Sequence, residues 1–158
     1  MTLGDDLIVT ARHLAKARPS KPRQADLRRA VSTAYYAVFH ALAHECADRF
    51  IGTNKVSRSG EAWTQAYRAL EHGFAKRQCE RAPKQGFPAK IVQFADAFTA
   101  LQEERHRADY DPTATYTRAE VLIDVQTAQQ AITELRHGSK PDRAAFAVWV
   151  TLKARRNA

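Results

Sequence analysis

The sequence predicts an all-α protein, an antiparallel four-helix bundle with one or two additional C-terminal helices. The first observation that predicts this class is the hydrophobic pattern. Apolar residues recur at helical spacing in each long segment, and no segment has the alternating pattern of a strand. The second observation is the spacing of the segments and the length of the chain. Proline, glycine and capping residues separate these segments, and 158 residues are enough to enclose a hydrophobic core. We therefore expect a helical bundle over residues 1–138 and a linker with a short basic amphipathic helix over residues 139–158.

The first two predicted helices differ in the width of their apolar face. The first spans residues 5–17 and begins with two acidic residues, which favour a helix N-terminus. A basic loop with two prolines separates it from the second helix, which spans residues 24–50 and is closed by Gly52. The second helix is apolar around much of its circumference, so we expect it at the centre of the bundle.

One stripe of the second helix carries polar side chains. Arg29, Tyr36 and His40 fall in a single row at helical spacing. Histidine and tyrosine in such a row are commonly core or interface residues whose polar ends are satisfied. Alternatively, the row lines a binding site.

The next segment carries apolar residues at helical spacing over residues 63–74, which predicts a third helix. Residues 76–88 are basic and contain two prolines and a glycine, so they are predicted to form a loop. A T-x-x-E capping box at Thr117 opens a fifth helix that ends at Gly138. A short sixth helix is predicted after the linker, with Asp142 as its cap. Basic residues cluster near its C-terminus: Lys153, Arg155 and Arg156.

The fourth predicted helix, residues 88–109, places a charge within its apolar stripe. Arg105 falls in line with Phe98 and Leu101 at about 100° per residue. Burying an unpaired guanidinium costs on the order of several kcal/mol. Two interpretations follow. Either Arg105 extends to solvent at the end of the helix or pairs with Asp109, four residues on, or it lies at the floor of a cleft and binds an anion such as phosphate.

Composition narrows the function classes. The formal charge of +8 and the sequence pI of about 9.8 favour a polyanionic partner. Cys46 and Cys79 lie outside any CxxC pattern, so we expect reduced thiols and no metal site. No segment has the length of a membrane span or a secretory leader, which leads us to expect a cytoplasmic protein without a membrane partner.

Familiar catalytic motifs are not found in the sequence. It contains no Gly-rich phosphate loop, HExxH, GxSxG or EF-hand pattern, which argues against the corresponding enzyme classes. Chemistry must therefore come from the few polar residues on inner faces. On the fourth helix these are Arg105, His106, Asp109 and Tyr110, and on the second they are Ser32, Tyr36 and His40.

Two motifs carry a resemblance to a known family. The stretch RRAVSTAYYAVFHAL, residues 28–42, is followed about seventy residues later by RHRADYDP, residues 105–112, with YRALEHGF, residues 67–74, between them. In order and spacing they resemble small prokaryotic members of the HEPN superfamily, over roughly residues 5–137. The resemblance implies a four- or five-helix bundle that forms homodimers, in which the ends of the fourth helices face each other across a shared cleft.

The resemblance also implies a function. Many HEPN proteins are metal-independent ribonucleases of toxin or defence systems, often encoded beside a small nucleotidyltransferase. Their signature is an Arg, a polar residue and a His four to six residues after the Arg. Arg105 and His106 match it, whereas Tyr110, Asp111 and Pro112 stand where the closing His is expected. His106 or His40 would then have to act as the base.

The leading hypothesis is therefore a dimeric HEPN-domain protein that binds RNA in a cleft centred on Arg105 and cleaves it without a cofactor. The predicted catalytic residues are Arg105, His106, Asp109 and Tyr110. The predicted nucleic-acid-binding residues are Arg29, Tyr36, His40 and Arg107. The alternative is a catalytically silent HEPN module that pairs with a nucleotidyltransferase, with Tyr110 at the contact or as a site of modification. A third hypothesis is docking of another protein on an exposed Phe146/Trp149/Val150 patch.

Overall fold

The computed structural model describes residues 1–155, and every regular element in that range is helical. The α-helices are α1 (Leu3–Ala15), α2 (Gln24–Ile51), α3 (Gly60–Arg68), α4 (His72–Arg81), α5 (Ala89–Tyr110), α6 (Arg118–His137) and α7 (Lys140–Thr151), and a 3₁₀ helix (Ala82–Gln85) follows α4. The predicted all-α class is confirmed. No helix within residues 1–155 combines the length and apolar character that crossing a membrane requires. Arg156, part of the predicted basic cluster, lies outside the described residues.

The long helix α2 is the centre of the molecule. It contacts α1, α3, α5, α6 and α7. Leu27, Tyr35 and Leu42 are fully buried, and alanines on its other side let α1 come close. A Cβ atom added at Gly4 of α1 would lie 2.9 Å from the Ala37 carbonyl oxygen, so only glycine fits this approach. The central position predicted for the second helix follows from these contacts.

Helices α2 and α5 run in opposite directions, and so do α1 and α6. Arg28 at the start of α2 donates to the Ala108 carbonyl oxygen near the end of α5. Asp5 at the start of α1 pairs with Arg136 at the end of α6, with 2.8 Å between Oδ1 and Nη1. The first turn of α2 is thereby fixed beside the last turns of α5, the end of the molecule where Arg105 lies.

The predicted third helix is two helices in the structure. α3 ends at Arg68, Glu71 is extended at φ −110° and ψ 133°, and α4 then begins at His72. Part of the predicted loop at residues 76–88 is also helical. Gln78 Nε2 donates to the Trp149 carbonyl oxygen at 2.9 Å, and Trp149 Nε1 donates to the Gln78 carbonyl oxygen at 2.7 Å. This contact with α7 is tertiary, which explains why local sequence patterns missed the helix.

The C-terminal helix α7 packs on its own chain. Phe146 and Val150 are fully buried in the main hydrophobic core, so the exposed patch expected by the docking hypothesis is not formed. Arg143 donates through Nε and Nη2 to both carboxylate oxygens of Glu45 at 2.7 and 2.8 Å. Ser139, rather than the predicted Asp142, caps α7, because its side chain accepts from the Asp142 backbone N–H.

Candidate functional site

Arg105 lies where the apolar stripe of α5 reaches the surface. Phe98 and Leu101 of the same stripe are buried, whereas the Arg105 side chain is 14% exposed. Its guanidinium carbon is 5.2 Å from the centre of the Tyr35 ring and 5.7 Å from that of Tyr36. A cation at this distance is attracted to the face of an aromatic ring. Two tyrosines of α2 therefore hold the guanidinium at the α2–α5 contact.

The polar contacts of Arg105 leave donors unused. Its Nη1 is 3.8 Å from Asp109 Oδ2, which is an ion pair but too long for a hydrogen bond. Asp109 Oδ2 in turn accepts from Ser32 Oγ at 3.3 Å. The Nε of Arg105 is buried and has no hydrogen-bond partner among residues 1–155. Asp109 thus neutralises Arg105 in part, and the guanidinium keeps N–H groups free for an anion.

His72 lies next to this guanidinium, although it is remote in sequence. Its Nδ1 is 2.5 Å from the Tyr35 hydroxyl, and its ring stacks on Phe39 with 3.9 Å between centroids. Burial, and then the charges of Arg105 and His40, lower the pKa of His72 below its ordinary value. Burial raises the pKa of Tyr35, so its phenol stays protonated. The site therefore contains a neutral imidazole at pH 7.

Tyr36 and His40, both predicted from the row on α2, continue the same cluster. The Tyr36 ring is 6.0 Å from that of His72 and 6.4 Å from that of His40. His40 Nδ1 is 2.6 Å from the Tyr67 hydroxyl of α3. Burial lowers the pKa of His40 and raises that of Tyr67. Two histidine–tyrosine pairs, His72 with Tyr35 and His40 with Tyr67, therefore flank Tyr36. The charge of Arg105 acts on the first of these pairs, because it lowers the pKa of His72.

Gln102 supplies a second unused polar atom, one turn before Arg105 on α5. Its Nε2 donates to the His72 carbonyl oxygen at 3.3 Å, whereas its Oε1 is buried without a partner among the described residues. Buried polar atoms are normally satisfied, so two orphans one turn apart indicate a position for bound water or a ligand. We call this set the Arg105 site: Ser32, Tyr35, Tyr36, His72, Gln102, Arg105 and Asp109.

The remaining predicted residues lie outside these contacts. His106 and Tyr110 are exposed beyond Arg105, and their rings are 4.9 Å apart. Arg107 projects from another face of α5, with its guanidinium carbon 5.6 Å from the centre of the Tyr116 ring. Arg29 is exposed on the first turns of α2. Tyr35, His72 and Gln102 were not predicted, and the only pointer to His72 was its position in the segment YRALEHGF.

Arg28 of α2 holds the C-terminal end of α5, which carries Arg105, in place. Its Nη1 donates to the carbonyl oxygens of Ala108 and Asp111, both at 2.8 Å, and its Nη2 donates to that of Ala114. Carbonyl groups at a helix C-terminus have no partner within the helix. By satisfying them, Arg28 ties the end of α5 to α2 and so holds Arg105 against the tyrosines.

In comparisons with family models, curated proteins and solved structures, nothing matched this chain. The function is therefore inferred from the residues and from the geometry they adopt.

Proposed function

We propose that the protein is a HEPN-type homodimer that binds RNA at the Arg105 site and cleaves it without a metal ion. The proposal is carried by the guanidinium of Arg105, which is largely buried yet keeps a buried Nε without a partner. A phosphodiester offers the two oxygens that a guanidinium fork binds best. The positive charge of the chain, +8, favours approach of a polyanion to this site.

The packing of the long helices supports the family assignment. α2 runs opposite to α5, and α1 runs opposite to α6, as the antiparallel four-helix bundle that we propose would require. The motif residues of the resemblance also meet in space, since Tyr35 and Tyr36 of one motif hold Arg105 of the other.

His72 is our candidate for the general base. In the tautomer in which its Nδ1 donates to the Tyr35 oxygen, its Nε2 is left as an acceptor. The 2′-oxygen attacks the neighbouring phosphorus, and its proton passes to His72. The 5′-oxygen leaves and takes a proton from water, which gives a 2′,3′-cyclic phosphate and a 5′-hydroxyl end. Arg105 stabilises the charge that develops on the phosphorane oxygens.

The exposed side chains beyond Arg105 are our candidates for the dimer contact. His106 and Tyr110 lie on the last turns of α5, and Tyr110 is 67% exposed. A twofold contact through these rings would bring two Arg105 side chains to one groove, where a single RNA strand could contact both. Analytical ultracentrifugation of the protein and of Tyr110→Asp tests this, and the variant should be a monomer.

The experiment for the cleavage proposal is incubation of purified protein with total RNA in EDTA. We expect cleavage by the wild type, none by Arg105→Ala, and near wild-type cleavage by Arg107→Ala, which removes the same charge two residues away. Circular dichroism melting controls for folding of each variant. Cleavage that survives in Arg105→Ala would place the active site elsewhere.

A second candidate function is favoured by the exposure of Tyr110. No histidine occupies positions 110–112, and Tyr110 presents most of its ring to solvent. A silent HEPN module would use this ring to contact, or be modified by, a nucleotidyltransferase partner. The discriminating result is a wild type that neither binds nor cleaves RNA, but co-purifies with a nucleotidyltransferase encoded beside it and loses that complex in Tyr110→Ala.

A further inference from the structure

A separate polar cavity lies between the last turns of α5 and the first turns of α6. Its volume is about 300 Å³, and the loop between the two helices forms one wall. Arg107, two residues from Arg105, lines this cavity, so it lies on a different face of α5 from the Arg105 site. The acidic lining residues are Glu104, Glu120 and Asp124.

Asp124 is a half-buried carboxylate in this wall. Among residues 1–155 it takes part in no side-chain hydrogen bond and no ion pair. Burial, and then the charges of Glu104 and Glu120, raise the pKa of Asp124 to about 6. A carboxylate left in such surroundings is unfavourable unless a donor from outside the chain satisfies it.

Tyr116 provides an independent observation that points to a ligand. It lines the same cavity and is only 6% exposed, and its hydroxyl is buried without a hydrogen-bond partner among the described residues. The hydroxyl is close enough to Glu104 and Asp124 for both charges to raise its pKa, after the larger effect of burial. A buried phenol oxygen without a partner is uncommon in a folded chain, so this hydroxyl points to a donor from outside the chain.

The charge of the cavity is opposite to that of the chain. Three carboxylates face one guanidinium, that of Arg107, which is 52% exposed and 3.9 Å from Glu104. No ion pair or hydrogen bond joins Arg107 to Asp124 within the described range. No three acidic, histidine or cysteine side chains of residues 1–155 converge closely enough to hold a metal ion. The geometry is therefore better suited to a larger cation that can spread its donors over the wall.

We propose that this cavity binds an organic cation carrying N–H donors, a guanidinium or primary ammonium group. The cation donates to Asp124 and to the Tyr116 oxygen, and the carboxylates of Glu104 and Glu120 add long-range attraction. The site is independent of RNA binding, because none of its residues belongs to the Arg105 site.

Titration calorimetry of the full chain with agmatine and with putrescine at pH 7.5 tests this inference. We expect both to bind, and Asp124→Asn to weaken binding by at least about 10-fold, since a charge-assisted hydrogen bond is lost. Tyr116→Phe should weaken binding by about 3- to 10-fold, the effect of one hydrogen bond. The matched control is Asp96→Asn, which removes an exposed charge elsewhere on α5 and should leave affinity unchanged. Tetramethylammonium, a cation without N–H groups, should not bind at the same ionic strength.

Binding should also depend on pH in a defined direction. The charged groups around Asp124 are Glu104 and Arg107 of α5 and Glu120 of α6, with Arg28 of α2 close to Tyr116. Asp124 becomes neutral as the pH falls through about 6. Agmatine affinity should therefore drop by about 10-fold between pH 7.5 and pH 5 in the wild type, but not in Asp124→Asn.

Comparison with an acetylated, amidated Gly-Arg-Gly peptide distinguishes the source of the cation. Tighter binding of the peptide than of agmatine indicates a protein side chain as the natural occupant, and the reverse order indicates a free amine. Either order supports the inference. It is overturned if neither amine nor peptide binds, or if the folded Asp124→Asn variant binds them as the wild type does.

Discussion

Arg28 and Arg105 lie at the same end of the molecule, but their hydrogen bonds differ. Arg28 donates to the carbonyl oxygens of Ala108 and Asp111, both at 2.8 Å, and to that of Ala114. Arg105 has Asp109 Oδ2 at 3.8 Å, two tyrosine faces, and an Nε without a partner among the described residues. Both side chains are largely withdrawn from water, so solvent does not explain the difference.

The difference indicates how to separate a structural arginine from a binding one. A buried donor without a partner costs about 1–3 kcal/mol, and folding alone gives no reason to keep it. Arg28 uses its donors to satisfy carbonyl groups that the end of α5 leaves free, which stabilises the fold. Arg105 keeps donors in reserve, which suits a residue whose partner arrives from outside.

Among the changes that keep Arg105, removing the imidazole beside it should have the largest effect. His72→Ala should slow RNA cleavage by about 100- to 10,000-fold, the usual contribution of a general base. Because the pKa of His72 is lowered, the wild-type rate should rise with pH to a half-maximum below the ordinary histidine value of about 6.5. Single-turnover cleavage of a labelled RNA between pH 4.5 and 8 measures the rate loss in the variant and the pH of half-maximal rate in the wild type.

The control is His13→Ala, which removes an exposed histidine on α1. A larger loss in His106→Ala than in His72→Ala would assign the base to His106.

Replacing Arg28 should destabilise the fold more than replacing Arg105. Arg28→Ala should lower the free energy of unfolding by about 2–3 kcal/mol, because several carbonyl groups lose a charged donor. Arg105→Ala should change it by about 1 kcal/mol or less. Urea denaturation followed by circular dichroism measures both. Equal losses in the two variants would remove the distinction between the two arginines.

A conservative change should separate charge from shape at Arg105. Arg105→Lys keeps the positive charge but loses the planar fork that grips two phosphate oxygens. We expect RNA affinity to fall by about 10-fold with little change in melting temperature. Fluorescence anisotropy at fixed salt measures the affinity. A lysine variant that binds as the wild type does would mean that only the charge matters.

Asp124 is a carboxylate without a hydrogen-bond or ion-pair partner among residues 1–155. The pKa of Asp124 is raised to about 6, so the folded state holds this proton more tightly than the unfolded state does. Stability contributed by the protonated form is lost as the pH rises through about 6. Asp124→Asn should therefore raise the free energy of unfolding at pH 7.5 by about 1 kcal/mol after allowance for solvent screening, and by nothing near pH 4. A variant less stable than the wild type at pH 7.5 contradicts this.

The sequence predicted the parts of the fold that depend on local patterns. The capping box at Thr117 forms as predicted, with Thr117 N donating to Glu120 Oε2 at 2.9 Å. Periodicity also located the long helices α2, α5 and α6. The helix α4 was missed because its hydrogen bonds to Trp149 come from a residue about seventy positions away. Local patterns contain no information on such a contact.

The sequence likewise predicted only one part of the candidate site. Arg105 and Asp109 lie close together because they are four residues apart on one helix, so their pairing could be predicted. His72 joins them only because α4 packs on α5, and apart from its place in the segment YRALEHGF the sequence gives no reason to expect it. The dimer, the RNA partner and the family resemblance stay predictions.

The most direct test compares Arg105→Ala with Arg107→Ala in binding to a labelled single-stranded RNA. Both variants lose one positive charge from the same helix, so a general effect of charge would weaken both equally. We predict a loss of at least about 100-fold in Arg105→Ala and of no more than about 3-fold in Arg107→Ala at the same salt concentration. Equal losses, or wild-type affinity in Arg105→Ala, would contradict a binding site built on the unused donors of Arg105.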